Sequence, residues 1–173
     1  SGNNNINNSP KSELPNSKNT KINTNKLSKL NNEKENLDSN NFTTLISNIP
    51  ADQEIKILIE EWLNGKAQIL NGLESDTLKS VARPSLFNRV IEQRKKDKLL
   101  GQIQIIDADI TSINIVKRSD KRIEADVELN YQDKRISASS EILSETVIPS
   151  LKVKYIIGKN KKTWLIVDYI SGN

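Results

Sequence analysis

The chain has 173 residues, a net charge of +4, and neither histidine nor cysteine. Serine–histidine and cysteine–histidine nucleophile systems, thiolate metal sites and disulfides are therefore excluded. The charge divides as +2 before Ile49 and +2 from there on, too little by itself to mark a nucleic-acid binder.

Residues 1–48 are about a third asparagine and otherwise mostly Ser, Lys, Thr and Glu, with no apolar period. A stretch this polar cannot bury enough apolar surface to offset the entropy of ordering it. The expectation is a disordered linker over residues 1–48 and a folded domain over 49–173. No apolar run reaches about 18 residues, so no segment reads as a membrane span, and the polar N-terminus is not a signal peptide. The leading Ser-Gly without an initiator Met reads as the processed end of a fragment.

Pro50 followed by Ala-Asp-Gln-Glu opens a helix, because proline suits the first turn and acids there meet the positive end of the helix dipole. That helix is expected over Ala51 to Leu70, and Asn71-Gly72 ends it. Ile55, Ile59, Trp62 and Ile69 line one face, and Lys66 stands in the same stripe where an apolar residue is expected. Ser75-Asp76 caps a short second helix through Val81. Ser85 caps a third, with Leu86, Phe87, Val90 and Ile91 on one side.

From Gly101 the period changes from helical to alternating. "QIQIIDADITSINIV" reads as a long strand with an irregularity near Ile106. In "RIEADVELNY" the residues Ile123, Ala125, Val127, Leu129 and Tyr131 point one way. "KRISASSEI" is expected after a tight turn as a separate edge strand, and "TVIPSLKVKYIIG" alternates through Leu151, Val153, Tyr155 and Ile157, with Pro149 at a bulge or edge. "TWLIVDYI" completes the sheet. The expected class is α+β, N-terminal helices packed on a curved antiparallel sheet or half-barrel of about five strands.

The glycines permit no phosphate-cradling loop, since neither GxGxxG nor GxxxxGK[ST] can be written. Asp107 with Asp109 is the best acidic pair for a carboxylate-only hydrolase, yet their spacing of two also fits a partly exposed strand end. The basic clusters at Arg94–Lys98, Lys117–Arg122 and Lys159–Lys162 are not interleaved with aromatics for base stacking, and the last two read as hairpin turns.

A helix carrying Trp62-Leu63-x-x-Lys66-Ala67, then "LKSVARPSLFNRVIEQRKKD", the strand "IQIIDADITSINIV" and the closing "VKYIIGKNKKTWLIVDYI" follow one another from Ala51 to Ile170. In that order they resemble the intermembrane-space (IMS) domain that ends the J-domain-like division proteins of chloroplasts and their cyanobacterial ZipN-type relatives. The resemblance implies a scaffold, not an enzyme, with no cofactor. It implies a single-pass membrane protein whose cytoplasmic part tethers FtsZ filaments. Its C-terminal domain would lie on the periplasmic side of the inner membrane of a cyanobacterium. There it would bind a peptide segment or C-terminal tail of another division protein. Residues 1–48 would then be the tether after a transmembrane helix outside the fragment.

The expected partner-binding residues are Trp62, Phe87, Tyr155 and Trp164 as apolar anchors, with Lys66, Arg83 or Arg89 meeting a carboxylate such as a chain terminus. Core packing competes for the aromatics and plain solvation for the arginines. For Lys66 the structural options are a stem laid along Trp62 and Ile69, or an ion pair with Asp107, Asp109 or Asp168. Two alternatives remain beside the division scaffold: a small-molecule-binding domain with an enclosed apolar pocket, and an IMS-like domain attached to another membrane protein such as a kinase.

Overall fold

The computed structural model describes residues 49–172, so the linker expected over residues 1–48 lies outside the described residues. Three helices come first: α1 (Asp52–Leu70), α2 (Leu78–Val81) and α3 (Pro84–Leu99). Four strands follow: β1 (Gln102–Arg118), β2 (Arg122–Ser137), β3 (Ile142–Asn160) and β4 (Thr163–Gly172). They pair antiparallel in chain order as an open meander, which gives the α+β class.

The helix boundaries follow local chemistry. Ala51 occupies the N-cap of α1, where the Glu54 carboxylate accepts its backbone N–H at 3.1 Å. Arg118, at the end of β1, pairs with Asp52 and donates to the carbonyl of Pro50, so the start of the helix is tied to the sheet. Gly72 turns the chain beyond α1 at φ +81°, a conformation that an L side chain resists. The Ser75 hydroxyl accepts the N–H of Leu78 at 3.3 Å and starts α2. The third helix begins one residue before the expected cap at Ser85. Pro84 is its first residue, because its fixed φ suits that position and its missing N–H costs nothing there.

Gly65 of α1 packs tightly against the start of α2. A Cβ at this position would lie 2.9 Å from Ser75 Oγ and 3.0 Å from Leu78 Cβ. Gly65→Ala is therefore expected to lower stability by about 1–3 kcal/mol despite alanine's better helix propensity, because it overpacks a closed contact. Urea denaturation of the variant checks this, and a midpoint above that of the parent would contradict it.

The core lies between α1–α3 and one face of the sheet. Ile55, Leu58, Ile59 and Trp62 of α1 meet Ile123, Ala125, Val127 and Leu129 of β2, Val153, Tyr155 and Ile157 of β3, and Trp164 and Ile166 of β4. Parallel bridging of Ala82 to Ile166, with Arg83 N–H donating to the Ile166 carbonyl at 2.8 Å, fixes the α2–α3 junction over the end of the sheet.

The sheet differs from expectation in three ways. It has four strands, not five: "RIEADVELNY" and the following "QDKRIS" form the one strand β2, and the turn comes later, between Ser137 and Ile142. The register of β1 runs unbroken through Ile106. Its shifts lie between Ile110 and Ser112 and between Ile115 and Lys117, and Ile105, 39% exposed, simply occupies the outer face. In β4 a shift opposite Ile156/Ile157 leaves Val167 without a register partner. After it, Tyr169 joins Trp164 and Ile166 on the helix-covered face, where strict alternation would have put Asp168. Pro149 sits in the bulge between the Leu129 and Tyr131 pairings, as its missing N–H requires.

Candidate functional site: a cationic pocket over the polar half of the sheet

Three of the expected anchors are core residues. Trp62, Tyr155 and Trp164 are 1–2% exposed, so their rings meet the rest of the chain and present no surface to a partner. Phe87 is half-buried beside a separate surface groove with Ile69, Ile91 and Arg94, and Arg83 is exposed in the N-cap of α3. Asp107 and Asp109 point outward from β1.

Lys66 and Arg89, by contrast, come together. They line a cavity of about 260 Å³, open to solvent, with Leu70 of α1, Leu86, Val90 and Gln93 of α3, Gln104 and Ile106 of β1, Tyr131 and Arg135 of β2, and Tyr169 of β4. The stripe of α1 that carries Trp62 continues into this cavity. Lys66 Nζ lies 5.4 Å from the Tyr169 ring centre and 6.0 Å from that of Trp62, within cation–π range of both. Tyr169 in turn packs against Trp62 at 5.8 Å and Tyr155 at 6.0 Å. Core aromatics thus hold the lysine from below. No ion pair joins Lys66 to Asp107, Asp109 or Asp168, and neither Lys66 nor Arg89 has an acidic partner among the described residues.

Arg135 is the third cation, and its charge is compensated. Its Nη1 donates to Asp97 Oδ1 at 2.5 Å, and its Nη2 donates to Gln104 Oε1 at 3.4 Å. Asp97 is 1% exposed, and the side-chain amides of Gln93 and Gln102 donate to the same Oδ1 at 3.0 and 3.1 Å. The pair locks the last turns of α3 to the far end of β2, which keeps the pocket walls in place. Tyr131 donates its hydroxyl to Asp133 at 2.5 Å. Burial, reinforced by that bond, pushes its pKa well above the ordinary tyrosine value, so the phenol stays protonated in the pocket wall. Tyr155 beneath is pushed up by burial as well.

The outer face of the sheet carries a wider groove, of about 460 Å³, in which Asp126 and Lys154 neutralise each other at 2.8 Å. The inner pocket, by contrast, places the uncompensated charge of Lys66 over two aromatic rings. Among the described residues no group of His, Cys, Asp and Glu side chains is arranged to hold a metal ion. No helix there is long and apolar enough to cross a membrane.

Tyr131, Tyr169, Arg135, Gln93 and Gln104 were absent from the sequence-based site. Tyr169 is hidden by the bulge at Val167. Tyr131 and Arg135 lie where β2 continues past its apolar half, and the polar run "YQDKR" gives no period to follow, while Gln93 of α3 and Gln104 of β1 are polar positions that carry no local signal of a site.

A family model described as ARC6-like, IMS domain, matches residues 56–167. In fold the chain is similar to a structure titled "Crystal structure of intermembrane space region of chloroplast protein ARC6", with a TM-score of 0.56 and 11% identity. That likeness covers 70% of this chain and 95% of the other. No curated protein sequence matches the chain. The family match runs from within α1 to within β4, well over half of the chain, and the chain belongs to the ARC6-like IMS domain family.

Proposed function

We propose that this domain binds, without catalysis, a carboxylate-bearing peptide segment of another division protein in the pocket of Lys66 and Arg89. One observation carries the reading: two cations without acidic partners among the described residues face a cavity walled by Tyr131, Tyr169 and aliphatic side chains. Charge-assisted hydrogen bonds to a carboxylate are about twice as strong as neutral ones, and the rings restrict competition from water. At about 260 Å³ the cavity is below the ~300–1,000 Å³ of typical small-molecule sites. It suits the last residues of a chain better than an enclosed ligand, and its polar lining sets it apart from an apolar small-molecule cavity.

The wider reading is a membrane-anchored division scaffold. Its IMS-like domain lies on the periplasmic side of a cyanobacterial inner membrane, and the missing cytoplasmic part tethers the FtsZ ring. Family membership supports it, as does the intermembrane-space origin stated for the similar chloroplast structure.

Selection from a peptide library with free C-termini, followed by titration of the selected peptides as acids and as amides, tests the pocket. Amidation is expected to weaken binding by at least about tenfold, since a hydrogen bond to a charged group contributes roughly 1.5–3 kcal/mol. Equal affinity of acid and amide would assign the pocket to some other chemistry.

A further inference from the structure

A second surface lies at the far end of the domain, where α3 stops and the β2–β3 hairpin turns. Leu99 and Leu100 are 87% and 72% exposed, and across the end of the sheet Ile142 and Leu143 are 55% and 49% exposed. Gly101, at φ +66°, reverses the chain directly after the two leucines, so they stand out from the helix end. The Gly101 carbonyl accepts the N–H of Ala138 at 3.0 Å and binds the two loops into one tip.

The exposed charge around this tip is positive in balance. Lys96 and Lys98 lie in the last turn of α3, both exposed. Asp97 between them is buried and held by Arg135, and Glu92 is taken up by Lys95 at 2.8 Å. Glu141 on the hairpin is the exposed acid at this end.

We propose that this tip is a contact surface for an anionic lipid bilayer. A protruding pair of leucines suits insertion into a soft, apolar layer and not the filling of a groove. Protein interfaces are enriched in aromatics and arginine and depleted in lysine, whereas the tip carries lysines and no aromatic residue. At a bilayer, leucines enter the acyl boundary while lysine stems lie along it and their ammonium groups meet lipid phosphates. The inference stands independently of the Lys66 pocket, which opens elsewhere on the domain.

The test is co-sedimentation of the whole 173-residue chain with vesicles of phosphatidylcholine alone, or of phosphatidylcholine mixed equally with phosphatidylglycerol. The chain is expected to bind the mixed vesicles alone and to be released by salt. Leu99→Ser with Leu100→Ser should cut partitioning by about tenfold or more, and Lys96→Gln and Lys98→Gln by on the order of fivefold each. These exposed substitutions should leave thermal unfolding unchanged. Failure of the parent chain to bind anionic vesicles overturns the proposal, as does equal binding by the leucine variant. Concentration-dependent dimerisation that the leucine variant loses, with no vesicle binding, overturns it in favour of a second copy of the chain.

Discussion

Replacing Arg135 by methionine is expected to lower the stability of the domain by about 3 kcal/mol, because it strands a buried carboxylate. Asp97 is 1% exposed and its Oδ2 has no hydrogen-bond partner, so without Arg135 the charge keeps only the amides of Gln93 and Gln102 on Oδ1. The cost belongs at the low end of the range for broken buried pairs, since the Arg135 side chain is 28% exposed and water already screens it in part. Removing both charges, as Asp97→Leu with Arg135→Met, should recover most of the loss, since apolar replacement of a whole pair is often neutral. Denaturant unfolding of the two single variants and the double gives the coupling directly. A single-variant loss below about 0.5 kcal/mol would place the pair among ordinary surface bridges.

Trp62→Ala is expected to cost about 3–5 kcal/mol, a large share of the ~5–15 kcal/mol that holds a domain of this size together. The side chain is 1% exposed and fills the space between α1 and the sheet, with Tyr169 stacked at a tilt beside it. The substitution leaves a cavity under the pocket floor as well as a lost transfer free energy. Lys66, whose ammonium lies over the same ring, should then lose its fixed position, so peptide affinity falls together with stability. Trp62→Phe keeps an aromatic surface under the lysine and should retain more of both. Unchanged unfolding of Trp62→Ala would mean that α1 is not docked through this face.

Sequence made the helices legible because their signals are local. Pro50 and Ser85 mark helix starts to within a residue or two, Gly72 a stop, and the stripe Ile55, Ile59, Trp62, Ile69 a buried face. The clearest strand, Ile123 to Tyr131, was readable while its inward residues were apolar. Its continuation was not, because Asp133 and Arg135 take the inward positions beside a polar pocket, and a strand facing such a pocket looks like a turn. The same cause produced the extra strand. Bulges are the second limit: one unpaired residue at Val167 exchanges Asp168 for Tyr169 beneath Lys66, and alternation alone cannot locate it. The lysine itself was legible as an anomaly in an apolar stripe. Its aromatic cradle was not, since Tyr169 comes from the last strand, about a hundred residues along the chain.

Peptide affinity of the Lys66→Met, Arg89→Gln double variant, measured beside its thermal unfolding, tests most directly the claim that these two cations form the docking site. Both side chains lack acidic partners among the described residues and neither belongs to the buried core, so unfolding should stay close to that of the parent. The affinity for free-carboxylate peptides should fall by at least about tenfold, and the preference for acid over amide should vanish. Parent-like affinity with the acid preference intact would contradict the account.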